Sequence, residues 1–429
     1  MTKARMDGLT MLIVGCVFFA AIGIAMEKLN PLGMTDFEQI YASSRCVAHH
    51  CDPYNPDALL AFYQSDTGDI PTDSSVVSQT YRRIVFIAPN LPTTLFLIAP
   101  IAALPWKMAV AFWMLLIAGL FIAACFQVWS FCGDRCPRLC GALLCLMLVN
   151  SGLLLSAGNT AGLVVSLTVI GVGCFLHGRF GAVGVVCMAV ALAMKPHDAG
   201  PIWLFLLLAG GTLRKRALQA AMLTALVIVP AILWVAHASP HWFIELQANL
   251  ARGLAQGGLN NPGPTTQGGR GIGQIVSLQA VLSLIRDDAR FYNPAAYLIC
   301  AALLLPWCFK TWKTGNSPRS AWFALAAIAV LTMLPFYHRT YDARLLVLAV
   351  PACAVLWSEH RLLGRWALAL TVAALVLTGD LFWVAVFAIT HYSGAAGTMA
   401  MIVVPLALLA LAVFYVSVYL REPRTAEPV

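Results

Sequence analysis

Charge is what this chain has least of. Of 429 residues, 11% are Asp, Glu, Lys or Arg, where an average soluble domain carries about 25%. That scarcity excludes an ordinary cytosolic enzyme, a disordered chain and a nucleic-acid binder. A nucleotide loop is lacking too. Gly268-Gly269-Arg270-Gly271-Ile272-Gly273 has the glycines, but neither a following Lys-Ser/Thr nor a preceding strand. No lipidation motif is visible, and no soluble domain is expected beyond Leu420. What the chain has instead is apolar sequence, at 60% hydrophobic residues. At about 20 residues per crossing this is enough for roughly a dozen membrane helices and a few substantial loops. The expected class is therefore an all-α polytopic membrane protein. The formal charge of +8 calls for no polyanionic partner, because excess Lys and Arg in such proteins orient the chain.

Long apolar runs fall at about 8–26, 94–104, 107–131, 139–156, 159–176, 180–194, 199–211, 217–236, 293–309, 320–336, 343–357, 366–390 and 398–420. Two connections are long, 27–93 and 237–292. Basic groups at Lys3/Arg5, Arg214–Arg216, Lys310/Lys313/Arg319, Arg361/Arg365 and Arg421/Arg424 should all be cytoplasmic. Strict alternation from Arg216 onward satisfies this. Between loop 27–93 and Arg214 the number of runs has the wrong parity, so one run is not a full crossing. The shortest, 94–104, is punctuated by Pro92, Pro100 and Pro105 and is read as re-entrant on the outer side. About twelve crossings result, with both termini cytoplasmic and the two long loops outside. The first run is expected to remain as a span rather than to be cleaved. Cys132, Cys136 and Cys140 are expected on one helical face at the cytoplasmic edge.

The first exterior loop holds most of the polar chemistry. Thr35 and Glu38 have capping-box spacing, which predicts a short helix with Asp36 in its first turn. Asp52-Pro53-Tyr54 is a turn signal. Residues 57–66 could lie on the membrane surface with Leu59, Leu60, Phe62 and Tyr63 toward lipid. Cys46, His49, His50 and Cys51 could suggest a metal site, but ligands so crowded do not readily close a tetrahedron without a distant partner. A small disulfide between Cys46 and Cys51 is the expectation. In the second loop, 241–250 reads as an interfacial helix, 253–273 is glycine-rich and flexible, and 274–286 reads as another amphipathic helix. The glycine-rich stretch is a candidate lid over an acceptor site.

Several short motifs, in order and spacing, resemble glycosyltransferase family 87, a group of polyprenyl-phosphate-sugar-dependent enzymes of the GT-C fold. They are Asp36-Phe37 just after the first run, Tyr41, and Asp52-Pro53-Tyr54. They continue with Pro89-Asn90-Leu91-Pro92 before Ile98-Ala99-Pro100 and Leu104-Pro105, then Ser156-Ala157-Gly158-Asn159 and Lys195-Pro196. The family's aromatic-Pro-Pro is Ala88-Pro89-Asn90 here, its Gln is Asn159, and its Asn-Gln-Ser-like step has no clear match near Gly273-Gln274. The resemblance implies a GT-C bundle with Asp36 as catalytic base, and with Tyr41, Asp52, Tyr54 and Asn159 near the substrates. Mannose is the sugar it implies, with a pentose such as arabinose as the alternative.

The chemistry fits. Glycosyl transfer needs a carboxylate to take the acceptor hydroxyl's proton, and a lipid phosphate leaving group needs positive side chains more than a metal. Lys195, His197, His338, Arg339 and Arg344 lie on the expected outer side and are the candidates. No cofactor is read from the sequence; a divalent metal is compatible with it but not indicated. The expected partners are a polyprenyl-phosphate sugar donor, a lipid or glycan acceptor and membrane lipid, at the plasma membrane. The rival class is a transporter or lipid flippase. Asp380, expected within a span, would then be its coupling carboxylate. For Arg344 the plain alternative is a local pair with Asp342.

Overall fold

The computed structural model describes residues 2–66, 73–264, 275–313, 317–390 and 394–423. Among these the chain is helical throughout, with one isolated antiparallel bridge between Ile275 and Arg339. Six helices are long and apolar enough to cross a bilayer: Lys3–Leu29, Trp106–Cys132, Pro137–Ser156, Gly211–Ala238, Ala289–Lys313 and Gly394–Arg421. Val17, Leu115, Leu226 and Leu298 stand outward on four of them. Large exposed apolar surface of this kind is unstable in water and stable in lipid. The chain is an all-helical membrane protein.

Several runs read as continuous are broken. Arg361–Leu377 and Asp380–Ile389 form a pair bent by 60°. The run 343–357 opens as a 3₁₀ helix, Asp342–Leu348, before Ala349–Glu359. Asn150-Ser151 interrupts 139–156, and Ser151 Oγ donates back to the Met147 carbonyl at 2.5 Å. Pro92–Ala102 has only 11 residues, about 16 Å at 1.5 Å per residue, and does not span on its own. It is pinned instead by the Tyr41, Ser44 and Arg45 side chains, which donate to the carbonyls of Leu104, Leu95 and Ala102 at 2.8, 2.9 and 3.2 Å. Cys132 and Cys140 belong to different helices, because the chain turns at Gly133–Cys136. The three thiols are free, but they do not share one helical face.

The first helix packs closely on Pro137–Val149 through glycines. A Cβ on Gly8 would stand 2.2 Å from the Pro137 carbonyl oxygen, and one on Gly141 would stand 2.2 Å from that of Gly8. Small residues that let backbones touch are what drives helix association in lipid, where apolar side chains gain nothing over the acyl tails.

The bundle has two chemically distinct ends. At one, Arg5 pairs with Asp134 at 2.8 Å, Arg138 with Asp7 at 2.7 Å and Arg135 with Glu359 at 3.2 Å. Arg319 joins Glu359 at 2.8 Å and also pairs with Glu422. The first helix and the last therefore begin and end on the same basic side. The other end gathers the helices of loop 27–93, the turn at Gly158-Asn159, the Met194–Pro196 junction, and residues 242–263 and 275–283.

In the first loop the capping box does not form. Met34, with φ 58°, precedes the helix Thr35–Ala48. Thr35 Oγ1 donates to the Leu32 carbonyl at 2.9 Å. The Glu38 carboxylate accepts from the hydroxyls of Tyr63 and, at 2.8 Å, Tyr81. Burial pushes the Glu38 carboxyl above its ordinary range, and the two tyrosines pull it partly back. Leu59 and Tyr63 are buried against Ala42, Cys46, Val85 and Phe86, so Pro56–Asp66 turns these residues to the loop's own small core rather than to lipid. Cys46 and Cys51 form the expected disulfide.

Candidate functional site

Asp36 sits at the second position of Thr35–Ala48, and its own N–H donates to the Ala157 carbonyl at 3.2 Å. Asn159 Nδ2 donates to Asp36 Oδ2 at 2.7 Å, and Asn159 Oδ1 accepts from Ala161 N at 2.8 Å. Both ends of the amide are fixed, so its donor has one direction. The turn carrying it requires Gly158. Its φ is +66°, and an added Cβ would stand 2.8 Å from Phe37 Cβ. Phe37 is itself held between Trp106 and Trp113, ring centroids 5.7 and 4.9 Å away, and Trp113 Nε1 donates to the Gly158 carbonyl at 2.8 Å. An aromatic stack thus locks the two chain segments that present Asp36 and Asn159 to each other. Burial raises the Asp36 carboxyl above the ordinary aspartate range. The Asn159 hydrogen bond and the charges of Arg339 and Lys195 offset part of that rise.

Lys195 lies between two helices, Gly181–Met194 and Pro196–Ala209. Its ammonium pairs with Asp198 at 3.0 Å and with Asp342. Asp342 also accepts from the backbone N–H of Arg339 at 2.7 Å. One lysine between two carboxylates leaves this cluster one negative charge in excess. Arg339 bonds to the Tyr337 hydroxyl, to the Leu259 carbonyl at 3.0 Å and to Asn260 Oδ1 at 3.1 Å. Among the described residues no ion pair involves Arg339, so its charge stays uncompensated by direct contact. The Ile275 bridge to Arg339 and the Val276 N–H to the His338 carbonyl at 2.9 Å tie the second loop to the same strip of chain. The glycines at 268–273 in the expected lid lie outside the described residues.

The structure brings together Asp36, Asn159, Lys195, His197, His338 and Arg339. Arg344 is not among them. It is fully buried, 3.6 Å from Asp380, and donates to the carbonyls of Thr340, at 3.2 Å, and Thr378. The local Arg344–Asp342 pair does not form either, since Asp342 takes Lys195. Asp380 opens the second helix of the bent pair Arg361–Leu377 and Asp380–Ile389, and accepts from Leu153 N at 2.7 Å. Arg344 and Asp380 join the bundle's interior. Tyr41 and Tyr54 spend their hydroxyls on the carbonyls of Leu104 and Asn90, each at 2.8 Å. Asp52 caps its own turn at Tyr54 N, 2.9 Å. These three brace the loop that carries Asp36.

One residue absent from the sequence reading belongs here. Asp198 is fully buried, 3.1 Å from His338 Nε2 and 3.8 Å from His197 Nε2. Its place next to His197 was the only signal available.

Beside this cluster an apolar groove of about 430 Å³ opens between helices, lined by Leu91, Pro92, Ala193, Pro196, Trp203 and Ile228 among others. It reaches the chain at Pro196, directly next to Lys195 and His197. Compared with family models, curated proteins and solved structures, the chain finds no match.

Proposed function

We propose that the protein is an integral-membrane glycosyltransferase of the GT-C type, with about twelve crossings and both termini in the cytoplasm. On this reading it moves a sugar, mannose by the resemblance to family 87, from a polyprenyl-phosphate donor. The acceptor is a lipid or glycan hydroxyl on the outer face of the plasma membrane. One observation carries the reading. Asp36 is a partly buried carboxylate held by a fixed amide donor, with Arg339 uncompensated nearby and an apolar groove opening beside the same cluster. A base, a cation and a slot for an isoprenoid chain are what this chemistry needs.

In the reaction the acceptor oxygen attacks the sugar's anomeric carbon as its proton passes to Asp36. The bond from that carbon to the phosphate oxygen breaks, and polyprenyl phosphate leaves with the electron pair. Direct displacement inverts the anomeric centre. Arg339 faces the charge that builds on the leaving phosphate. Asn159 keeps Asp36 oriented and favours its ionised form. Asp36, Asn159, Lys195, His197, His338 and Arg339 gather at one end of the bundle, which fits an interfacial site better than a midplane pathway.

The test is reconstitution of the purified protein with polyprenyl-phosphate mannose and a lipid extract as acceptor source. A new glycosylated product that Asp36→Asn abolishes supports the reading. Sugar- or lipid-dependent flux across liposomes with no product would favour transport and overturn it.

A further inference from the structure

The sequence points a leaving phosphate to five basic side chains, yet two of them are already occupied. Lys195 is shared by two carboxylates, and Arg344 is sealed beside Asp380. Next to them, three groups that ligate metals face one another. His197, Asp198 and His338 each offer one atom, all within 4.8 Å of one another.

The tautomer of His338 decides what this cluster wants. Its Nδ1 stands 3.1 Å from the Phe336 carbonyl oxygen, which can only accept, so Nδ1 carries the proton. In the neutral ring Nε2 is then a bare lone pair, 3.1 Å from Asp198 Oδ1. His338 Nε2 and Asp198 Oδ1 are buried without a hydrogen bond, while Asp198 Oδ2 faces the Lys195 ammonium at 3.0 Å. Two acceptors that meet in a buried place repel unless a positive charge lies between them. The surrounding charge agrees: Asp198, Asp342 and Lys195 together leave one negative charge.

We propose that His197 Nε2, Asp198 Oδ1 and His338 Nε2 bind one divalent transition-metal ion of the Zn²⁺ class. Two imidazoles and a carboxylate suit such an ion and leave it an open position. Ligand atoms at about 2.0–2.2 Å from a metal stand roughly 3.0–3.5 Å apart. The His338–Asp198 approach has that separation already. His197, at 3.8 Å from Asp198 Oδ1, closes by turning a ring that is 38% exposed. The supporting contacts are those that metal sites use. A backbone carbonyl holds the far nitrogen of His338, and Lys195 holds the far oxygen of Asp198. The open side is the His197 side, next to Pro196 and the groove. If the glycosyl-transfer reading holds, the ligand taken there is an oxygen of the lipid phosphate; that part rests on that reading, and the metal site does not.

The experiment is equilibrium dialysis of the full chain, purified in detergent and stripped with chelator, against Zn²⁺. Co²⁺ serves as a spectroscopic stand-in. The expected result is one Zn²⁺ per chain, and a Co²⁺ spectrum of nitrogen and oxygen ligands without sulfur charge-transfer bands. Loss of a mere supporting contact costs 10–100-fold in affinity, so His338→Gln and His197→Gln should each weaken binding at least about 100-fold. His197 is half-exposed, so its variant reports even if the His338 variant fails to fold. No bound Zn²⁺, or Zn²⁺ that both variants retain, overturns the site. Zn²⁺ bound as expected without any turnover leaves the site standing and removes glycosyl transfer. Asp36-dependent turnover in chelator, with no bound metal, does the reverse.

Discussion

The bond from Asn159 to Asp36 sets where the activity should fail in acid. The amide donates to the carboxylate at 2.7 Å, so it stabilises the ionised form. Asp36 acts as base only when ionised, and burial already lifts its carboxyl above the ordinary range. Asn159→Ala removes a hydrogen bond to a charged group, worth about 1.5–3 kcal/mol. At 1.36 kcal/mol per unit of pKa, protonation becomes easier by roughly one to two pH units. The acid limb of kcat/KM therefore moves to higher pH by about that amount. Asn159→Asp should move it further, because two carboxyls at such a separation do not both ionise. The assay is the pH–rate profile of wild type and both variants with saturating acceptor, alongside thermal unfolding to exclude a general loss of fold. Rates well above the limb should recover in Asn159→Ala, short of what orientation contributed. A limb that stays in place in both folded variants would refute Asp36 as the titrating base.

Three further outcomes follow from the packing. Gly8→Ala puts a methyl against the Pro137 carbonyl at 2.2 Å; overpacking of this kind costs about 1–3 kcal/mol or more, read as a lower Tm in detergent with the first helix loosened. Lys195→Met leaves Asp198 and Asp342 buried without their shared cation, a loss of about 3–5 kcal/mol visible as a lowered Tm; an unchanged Tm would mean the lysine is not the clamp. Tyr41→Phe removes one hydroxyl bond to Leu104, about 1 kcal/mol, and leaves KM for donor and acceptor within about twofold; a tenfold rise in KM would return Tyr41 to the binding site.

The sequence showed clearly which residues sit at element ends, because polarity in an apolar chain is rare and conspicuous. Asp36, Asn159, Lys195, His338 and Arg339 come from segments far apart, and placing their loops on one side brought them together. What it could not show was who pairs with whom. Arg344 looked like a loop cation for the leaving phosphate, with a local pair to Asp342 as the alternative, but the 3₁₀ turn at Asp342–Leu348 carries it inward to Asp380. Asp198 was overlooked because its partner His338 lies 140 positions away in sequence. Hydropathy also cannot see a break between apolar flanks, as at Thr378-Gly379 or Asn150-Ser151. The capping box failed for a tertiary reason, since Glu38 gains more from two tyrosine hydroxyls than from its own helix start. Leu59 and Tyr63 could not be told from lipid-facing residues until the loop's small core was visible.

The account turns on Asp36 as the base in sugar transfer from a lipid phosphate. The most direct measurement follows polyprenyl phosphate released and glycosylated product formed, in the same reaction, by wild type and by Asp36→Asn. The account predicts equal amounts of the two from wild type, an inverted anomeric centre in the product, and neither from the variant. Product formed at the wild-type rate by a folded Asp36→Asn protein, or donor left intact by wild type with every polyprenyl-phosphate sugar offered, would contradict it.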